Sequence, residues 1–258
     1  MENIKRVLSF TRRALDDYEM IRAGDRVAVG VSGGKDSLTL LCALAELRRF
    51  YPQPFELVAV TVDMGFAQSM DTSGVRALCE RLGVEYHVFP TEIYKVIFEV
   101  RKESNPCSLC AKMRRGALHN AAVELGCGTV ALGHHFDDVV DTFMLNLFFE
   151  GRIGCFQPVT YLSRKNLRLI RPMIYMPEKD VRYFAAHAEL PVVKSTCPAD
   201  GNTERAEMQK LLLGLEKKYP GLRYRIFGAI QRGEIDGFHP PLTGRMKGSS
   251  DYTSEEAE

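Results

Sequence analysis

Short apolar runs alternate along the chain with longer segments in which apolar residues recur every three or four positions. The runs are "RVAVGV" (26–31), "ELVAVTVDM" (56–64), "EYHVFP" (85–90), "TVALGH" (129–134) and "LPVV" (190–193). They are valine-rich and nearly continuous, as strands buried on both faces are. The helical patterns fall near 36–48, 71–83, 91–103, 108–125, 137–149 and 178–189. This alternation predicts an α/β fold, an open doubly wound parallel sheet with helices on both faces. Right-handed crossovers then bring the strand C-termini to one edge, where ligands sit in open sheets.

The pattern changes at the two ends. "MENIKRVLSFTRRALDDYEMI" reads as an amphipathic helix rather than a signal peptide. Past residue 200 the chain turns helical, near 203–218 and 222–232, until "HPPLTG" stops it. The tail "KGSSDYTSEEAE" is polar and acidic and is expected to fray. The expected organisation is an N-terminal helix (1–22), a main domain (23–200), a helical extension (201–240) and a flexible tail (241–258). There is no internal repeat.

Composition narrows the class. At 258 residues and 45% hydrophobic, the chain can bury a sizeable core. A net charge of +1 excludes a globally basic nucleic-acid binder, so contact with RNA must come from local patches. No stretch approaches 18 uncharged apolar residues, so no membrane span is expected. The seven cysteines are odd in number and have no disulfide rhythm, which suits a reduced, cytoplasmic protein.

Chemistry begins at "VAVGVSGGKDSLTLL" (27–41). A Walker A loop requires Ser or Thr after its lysine, and here Asp36 follows Lys35. A dinucleotide fingerprint fails too, at Gly30-Val31-Ser32. What remains can still hold an anion. Gly33 and Gly34 allow close approach and positive φ, a helix begins just after them, Ser32 and Ser37 offer hydroxyls, and Lys35 offers charge. Asp36 fits beside phosphate if it caps the helix or holds Mg²⁺. A ligand-free glycine turn is the plain alternative. Ser-Gly-Gly-Lys-Asp-Ser between a strand and a helix resembles the PP-loop of the ATP pyrophosphatase superfamily, whose members split ATP between the α and β phosphates and adenylate a substrate.

"ALGHHFDDVVDTF" follows the strand at 129. Asp137 and Asp138 fall near a helix N-terminus on the same sheet edge, where carboxylates can hold Mg²⁺ or simply cap the helix. His134 and His135 suggest zinc, but no third ligand has regular spacing. The G-H-x-x-D-D pattern resembles the second signature of tRNA-modifying PP-loop enzymes. That resemblance implies ATP contacts at Val31–Ser37, at Gly133, His134 and Asp138, and through backbone groups at Val62–Met64. Asp63 is a further candidate, for ribose or metal.

Cys107 and Cys110 stand three apart at a helix start, after Asn105 as cap and Pro106 in the first turn. They share a face, and the helix N-terminus favours thiolate. By itself Cys-x-x-Cys fits zinc, iron–sulfur or a redox pair. Cys197 lies in "KSTCPADGNTERAEM", a loop after "LPVV", and would come to the same edge. Three thiolates make an incomplete structural zinc site but suit a [4Fe–4S] cluster with one open iron. Cys42, Cys79, Cys127 and Cys155 read as buried small hydrophobes.

This Cys-x-x-Cys with a distant Cys-Pro resembles the tRNA 2-thiocytidine synthetase family, over about 25–213. The resemblance includes "CSLCAKMRRGAL", "ALGHHFDD" and "RPMIYMPEKDV". It implies a [4Fe–4S] cluster on Cys107, Cys110 and Cys197, whose open iron carries sulfur; a scheme in which one of these cysteines is instead a persulfide nucleophile stays open beside it. ATP with Mg²⁺ would adenylate a pyrimidine C2 oxygen, with Asp36 and Asp138 among the catalytic residues. The substrate would be cytidine in the tRNA anticodon loop, and sulfur would come from a cysteine desulfurase or another donor. A second Cys-x-x-Cys at the last site, frequent in this group, is absent, as are the zinc-binding pairs of the thiouridine-54 relatives. Two alternatives stay open: a lysidine-synthase-like adenylating enzyme with a non-sulfur nucleophile, and an ATP-binding Fe–S redox sensor without turnover.

RNA contact is expected first at Lys112, Arg114 and Arg115, on the cysteine-bearing helix. Arg164, Lys165, Arg168 and Arg171, and then Arg223, Arg225 and Arg232, are further basic groups. The amphipathic first helix is a candidate homodimer surface.

Overall fold

The computed structural model describes residues 4–66, 70–101, 106–193 and 204–241. Cys197 and the capping residue Asn105 lie outside these described residues. The elements follow in chain order: α1 (Ile4–Asp17), β1 (Asp25–Gly30), α2 (Lys35–Leu47), β2 (Phe55–Asp63), α3 (Ser73–Leu82), β3 (Glu85–Pro90), α4 (Pro106–Glu124), β4 (Thr129–Ala131), α5 (Phe136–Phe149), β5 (Val159–Leu162), β6 (Leu167–Ile170), α6 (Glu178–His187), α7 (Glu204–Lys218) and α8 (Leu222–Arg232). The helix expected near 91–103 contains a π-helical stretch, Lys95–Val100.

Six strands pair in the order β3-β2-β1-β4-β6-β5. All pairs are parallel except β5 with β6. The chain therefore runs outward from β1 to one edge, returns, and continues from β4 to the other. The reversal lies between β1 and β4, and their carboxyl ends flank the crevice that such sheets use for ligands.

The valine runs fold as they do because they are covered on both sides. Val27, Val29 and Ala59 join a cluster with Leu38, Leu41 and Leu44 of α2. On the opposite face Ala28, Val58, Val60 and Val130 pack with Leu118, Ala121 and Ala122 of α4. Helix α4 approaches so closely that a Cβ on Gly30 would come 2.8 Å from Leu118. The end helices belong to the first cluster: Val7 and Leu15 of α1 and Phe227 and Ile230 of α8 are buried in it.

"LPVV" is not a strand. Leu190–Val193 is irregular, with Leu190 buried and Val193 N–H donating to the Gly33 carbonyl at 2.9 Å. The position beside β4 is taken by β6, which arrives through an antiparallel hairpin from β5.

Candidate functional site

The loop after β1 lies at the reversal point. Gly33 has φ +79°, which favours glycine, and a Cβ there would press on Val193 at 3.1 Å. The buried Ser37 hydroxyl closes the loop, donating to the Gly34 carbonyl (2.9 Å) and accepting from the Ser32 N–H (3.1 Å). Ser32 Oγ in turn accepts the Gly34 N–H at 3.4 Å. Val31 is fixed from β2, donating to the Val60 carbonyl and accepting from the Thr61 hydroxyl, both at 2.8 Å. No side chain caps α2 at Gly34. The first-turn amides and the positive helix end are thus left facing outward, the arrangement that binds phosphate.

Lys35 Nζ lies between two carboxylates, Asp36 Oδ1 at 3.1 Å and Glu178 Oε1 at 3.0 Å. Burial pulls this ammonium down, but Asp36 and Glu178 outweigh burial and hold it above its ordinary value. Burial likewise raises the Glu178 carboxyl, while Lys35 and Arg182 bring it below its ordinary value. Asp36 Oδ1 is buried and accepts no hydrogen bond; Lys35 and His135 Nε2, at 3.7 Å, are its ionic neighbours.

The second segment meets the first directly. A Cβ on Gly133 would lie 3.1 Å from the backbone of Asp36 and Ser37. His135, not an aspartate, caps α5: its Nδ1 accepts the Asp138 N–H at 3.4 Å, and Asp138 Oδ2 accepts the His135 N–H at 3.0 Å. Asp138 Oδ1 also faces Arg205 at 3.4 Å. Asp137 is engaged by α6 and α8. It accepts the Glu178 N–H at 2.7 Å and pairs with Arg223 at 2.7 Å. Both Asp137 oxygens, the weaker of the two expected Mg²⁺ carboxylates, are thus engaged by the protein, Oδ2 by Glu178 and Oδ1 by Arg223. His134 packs on Phe156 at 4.8 Å, with Nδ1 buried and unpartnered. Burial, then Arg171 and Arg205, push its pKa down to about 3.

At the end of β2, Val62 pairs in register with Phe89 of β3. Asp63 Oδ1 accepts the Gly65 N–H at 3.0 Å. The carbonyls of Asp63 and Met64 are already taken by the N–H groups of Thr91 and Tyr94, both at 2.9 Å.

Cys107 is exposed and Cys110 half-buried in the first turn of α4. The other cysteines differ sharply. Burial pushes the thiols of Cys42 and Cys155 up to about 12 and that of Cys79 up to about 11, and raises Cys127 as well. Two thiols presented at a helix N-terminus have the chemistry of cluster ligands. Among the described residues no three metal-ligating side chains gather, and Cys197 lies outside them.

Lys112, Arg114 and Arg115 are exposed on α4. The other basic groups are mostly structural. Arg171 is buried, stacked 5.0 Å over Phe156. Arg168 donates to the carbonyls of Glu19 and Met20. Lys165 donates to Asn120, Arg223 pairs with Asp137 and Asp141, and Arg225 donates to the carbonyls of Tyr219 and Pro220 at the end of α7. Arg164 and Arg232 remain exposed. Sequence reasoning missed Glu178, Arg205 and Val193. All three lay in segments already singled out, Glu178 in "RPMIYMPEKDV", Val193 in "LPVV" and Arg205 in "KSTCPADGNTERAEM", but nothing in their spacing tied them to the phosphate loop.

A parallel sheet with its reversal at an uncapped Ser-Gly-Gly-Lys-Asp-Ser loop defines a PP-loop protein, and a family model described as the PP-loop domain matches residues 6–215. Two relatives sharpen this. The tRNA-cytidine(32) 2-sulfurtransferase of Geobacter sulfurreducens is 40% identical over 229 residues, 88% of this chain and 89% of that protein. The protein of the same name from Pelobacter propionicus is 42% identical over 221 residues, 84% of this chain and 82% of its own. Among solved structures, the U34-tRNA thiolase NcsA from Methanococcus maripaludis, with its [4Fe-4S] cluster, superposes with a TM-score of 0.71 at 29% identity, covering 88% of this chain and 78% of that one. This chain belongs to the tRNA-cytidine(32) 2-sulfurtransferase family of PP-loop proteins.

Proposed function

We propose that the protein is an ATP- and [4Fe–4S]-dependent tRNA sulfurtransferase that replaces the C2 oxygen of a cytidine, at position 32 of the anticodon loop, with sulfur. The observation that carries this reading is the junction of the two segments. Gly133 rests on the first turn of α2, so the uncapped phosphate-binding amides, Lys35, Asp36 and the His135–Asp138 cap form one surface.

On that surface the α2 amides and Lys35 would bind and orient the ATP phosphates. Asp36 Oδ1 has no hydrogen bond to give up and suits the Mg²⁺ that accompanies ATP. Asp138 is linked to Asp36 through His135, which neighbours both carboxylates, and is further restrained by Arg205. Adenine readout at Val62–Met64 would fall to the amides and to Val62, because the carbonyls of Asp63 and Met64 are engaged. The base oxygen attacks the α phosphate, the α–β bond breaks and pyrophosphate leaves, making AMP the later leaving group in place of a poor one. Cys107, Cys110 and Cys197 would hold the cluster, which when bound supplies the sulfur-carrying iron chemistry. Lys112, Arg114 and Arg115 would track the tRNA backbone, with the target base splayed out of its loop. A desulfurase or other donor, a cytoplasmic setting and a homodimer complete the reading, but the apolar face of α1 is not the dimer surface expected of it, because Ile4, Val7, Ala14 and Leu15 are buried in this chain's own core.

The test is iron and acid-labile sulfide on anaerobically purified protein, beside a Cys197→Ala variant. About four of each, lost in the variant, is the expected result. Zinc alone, or no metal, overturns the sulfur-transfer account.

A further inference from the structure

The loop lysine is not held by its own loop alone. Glu178, the first residue of α6, brings a second carboxylate to Lys35 Nζ at 3.0 Å, and Arg182 braces that carboxylate at 3.1 Å. The Glu178 backbone is itself fixed. Its N–H is held at 2.7 Å by Asp137 of α5, and Asp137 is anchored at 2.7 Å by Arg223 of α8. Arg223 reaches the buried Asp141 as well, at 3.3 Å. An unbroken set of contacts therefore runs from the C-terminal helices to the ammonium that faces the phosphate site.

A lysine on a flexible four-carbon stem loses rotamer freedom whenever a ligand captures it. Holding it beforehand reduces that loss. We propose that Glu178 is a positioning residue for nucleotide binding: it fixes Lys35 at the mouth of the phosphate loop, and Asp137 sets Glu178 in turn. This rests on reading Ser32–Ser37 as the phosphate loop. It also assigns Asp137 a purpose other than the metal-binding one its position in the motif suggests. Glu178 touches no phosphate in this scheme and acts only through Lys35.

That dependence gives the test. Binding of α,β-methylene ATP, which cannot be split at the α–β position, is measured by equilibrium dialysis on the full chain. The proteins are wild type, E178Q, E178D, K35M and the K35M/E178Q double variant. E178Q is expected to weaken binding on the order of tenfold, the loss of one charge-assisted contact. E178D recovers part of the loss. In the K35M background E178Q has no further effect, because the residue it acts through is gone. In turnover, E178Q raises KM for ATP more than it lowers kcat.

The same fold loss in both backgrounds would show that Glu178 serves only the packing of α6 and would overturn the proposal. Unchanged or tighter binding by E178Q would overturn it too, making Glu178 a bystander or a competitor of phosphate. A wild type that binds no analogue overturns the phosphate-loop reading and the proposal together. A wild type that binds, matched by E178Q, overturns the proposal alone.

Discussion

Gly133→Ala adds one methyl group where β4 meets the phosphate loop. The added carbon would lie 3.1 Å from Asp36 C, 3.1 Å from Ser37 N and 3.2 Å from Asp36 O. Ordinary carbon contacts begin near 3.5 Å. All three neighbours are backbone atoms in the first turn of α2, so no side chain can rotate away. Either β4 retreats from the sheet or the phosphate-binding turn shifts by a few tenths of an ångström. Overpacking of this kind costs about 1–3 kcal/mol. In a chain of this size that lowers Tm by roughly 2–10 °C. The shift falls on the amides that would hold the phosphates, so α,β-methylene ATP affinity should fall on the order of tenfold, equivalent to about 1.4 kcal/mol. Thermal unfolding and equilibrium dialysis measure the two effects separately. Gly214→Ala is the control: it lies inside α7 with nothing within 4 Å, and it should add about 0.5–1 kcal/mol of stability without changing nucleotide affinity. If the Gly133→Ala protein binds the analogue as wild type does and melts at the wild-type temperature, the two segments do not form one rigid surface.

Further expectations follow from the same geometry. Arg223→Met leaves Asp137 and Asp141 without their shared cation and should cost about 3–5 kcal/mol in urea unfolding; a cost below about 1 kcal/mol would mean the pair is effectively solvated. Alkylation of the cluster-free native protein at pH 8 should label Cys107 and spare Cys42, Cys79 and Cys155 until denaturant is added, and early labelling of Cys42 would contradict its burial. His134 is held neutral in the fold, with its pKa lowered from 6.5 to about 3, so the unfolded chain binds the extra proton first. Stability from this residue is therefore full above pH 6.5 and is lost as pH falls toward 3, at no more than about 1.4 kcal/mol per pH unit. A His134→Asn variant should show a shallower acid slope in urea midpoints, and an unchanged slope would place the imidazole in water.

Much of this architecture is legible in the residues because local signals and global packing agree there. The valine runs at 26–31 and 56–64 are strands, Ser32–Ser37 is an uncapped turn before a helix, and the four cysteines set in apolar surroundings are buried. "LPVV" misleads for a physical reason. A short apolar run bounded by turn residues has the same pattern whether it pairs in a sheet or lies across a loop. Here Leu190 fills the core, Pro191 packs against Gly74, and Val193 supports Gly33, so the apolarity has uses other than a strand. Asp137 and Asp138 look equivalent in sequence, yet adjacent helical positions face different ways. One looks to α6 and α8, the other to His135 and Arg205. Arg171 and Arg223 resemble surface charges because spacing alone does not reveal burial, and their partners are aromatic rings, carbonyls or acids distant in the chain. Glu178 is invisible as a partner of Lys35 until the fold closes the 143 positions that separate them.

The most direct test of the central claim is nucleoside analysis of tRNA after incubation with iron-loaded protein, ATP, Mg²⁺ and a sulfide source under anaerobic conditions. The account requires 2-thiocytidine at position 32, dependent on ATP and lost with Cys110→Ser and with Asp36→Ala. Iron-loaded protein that binds ATP yet leaves cytidine 32 unthiolated would contradict it.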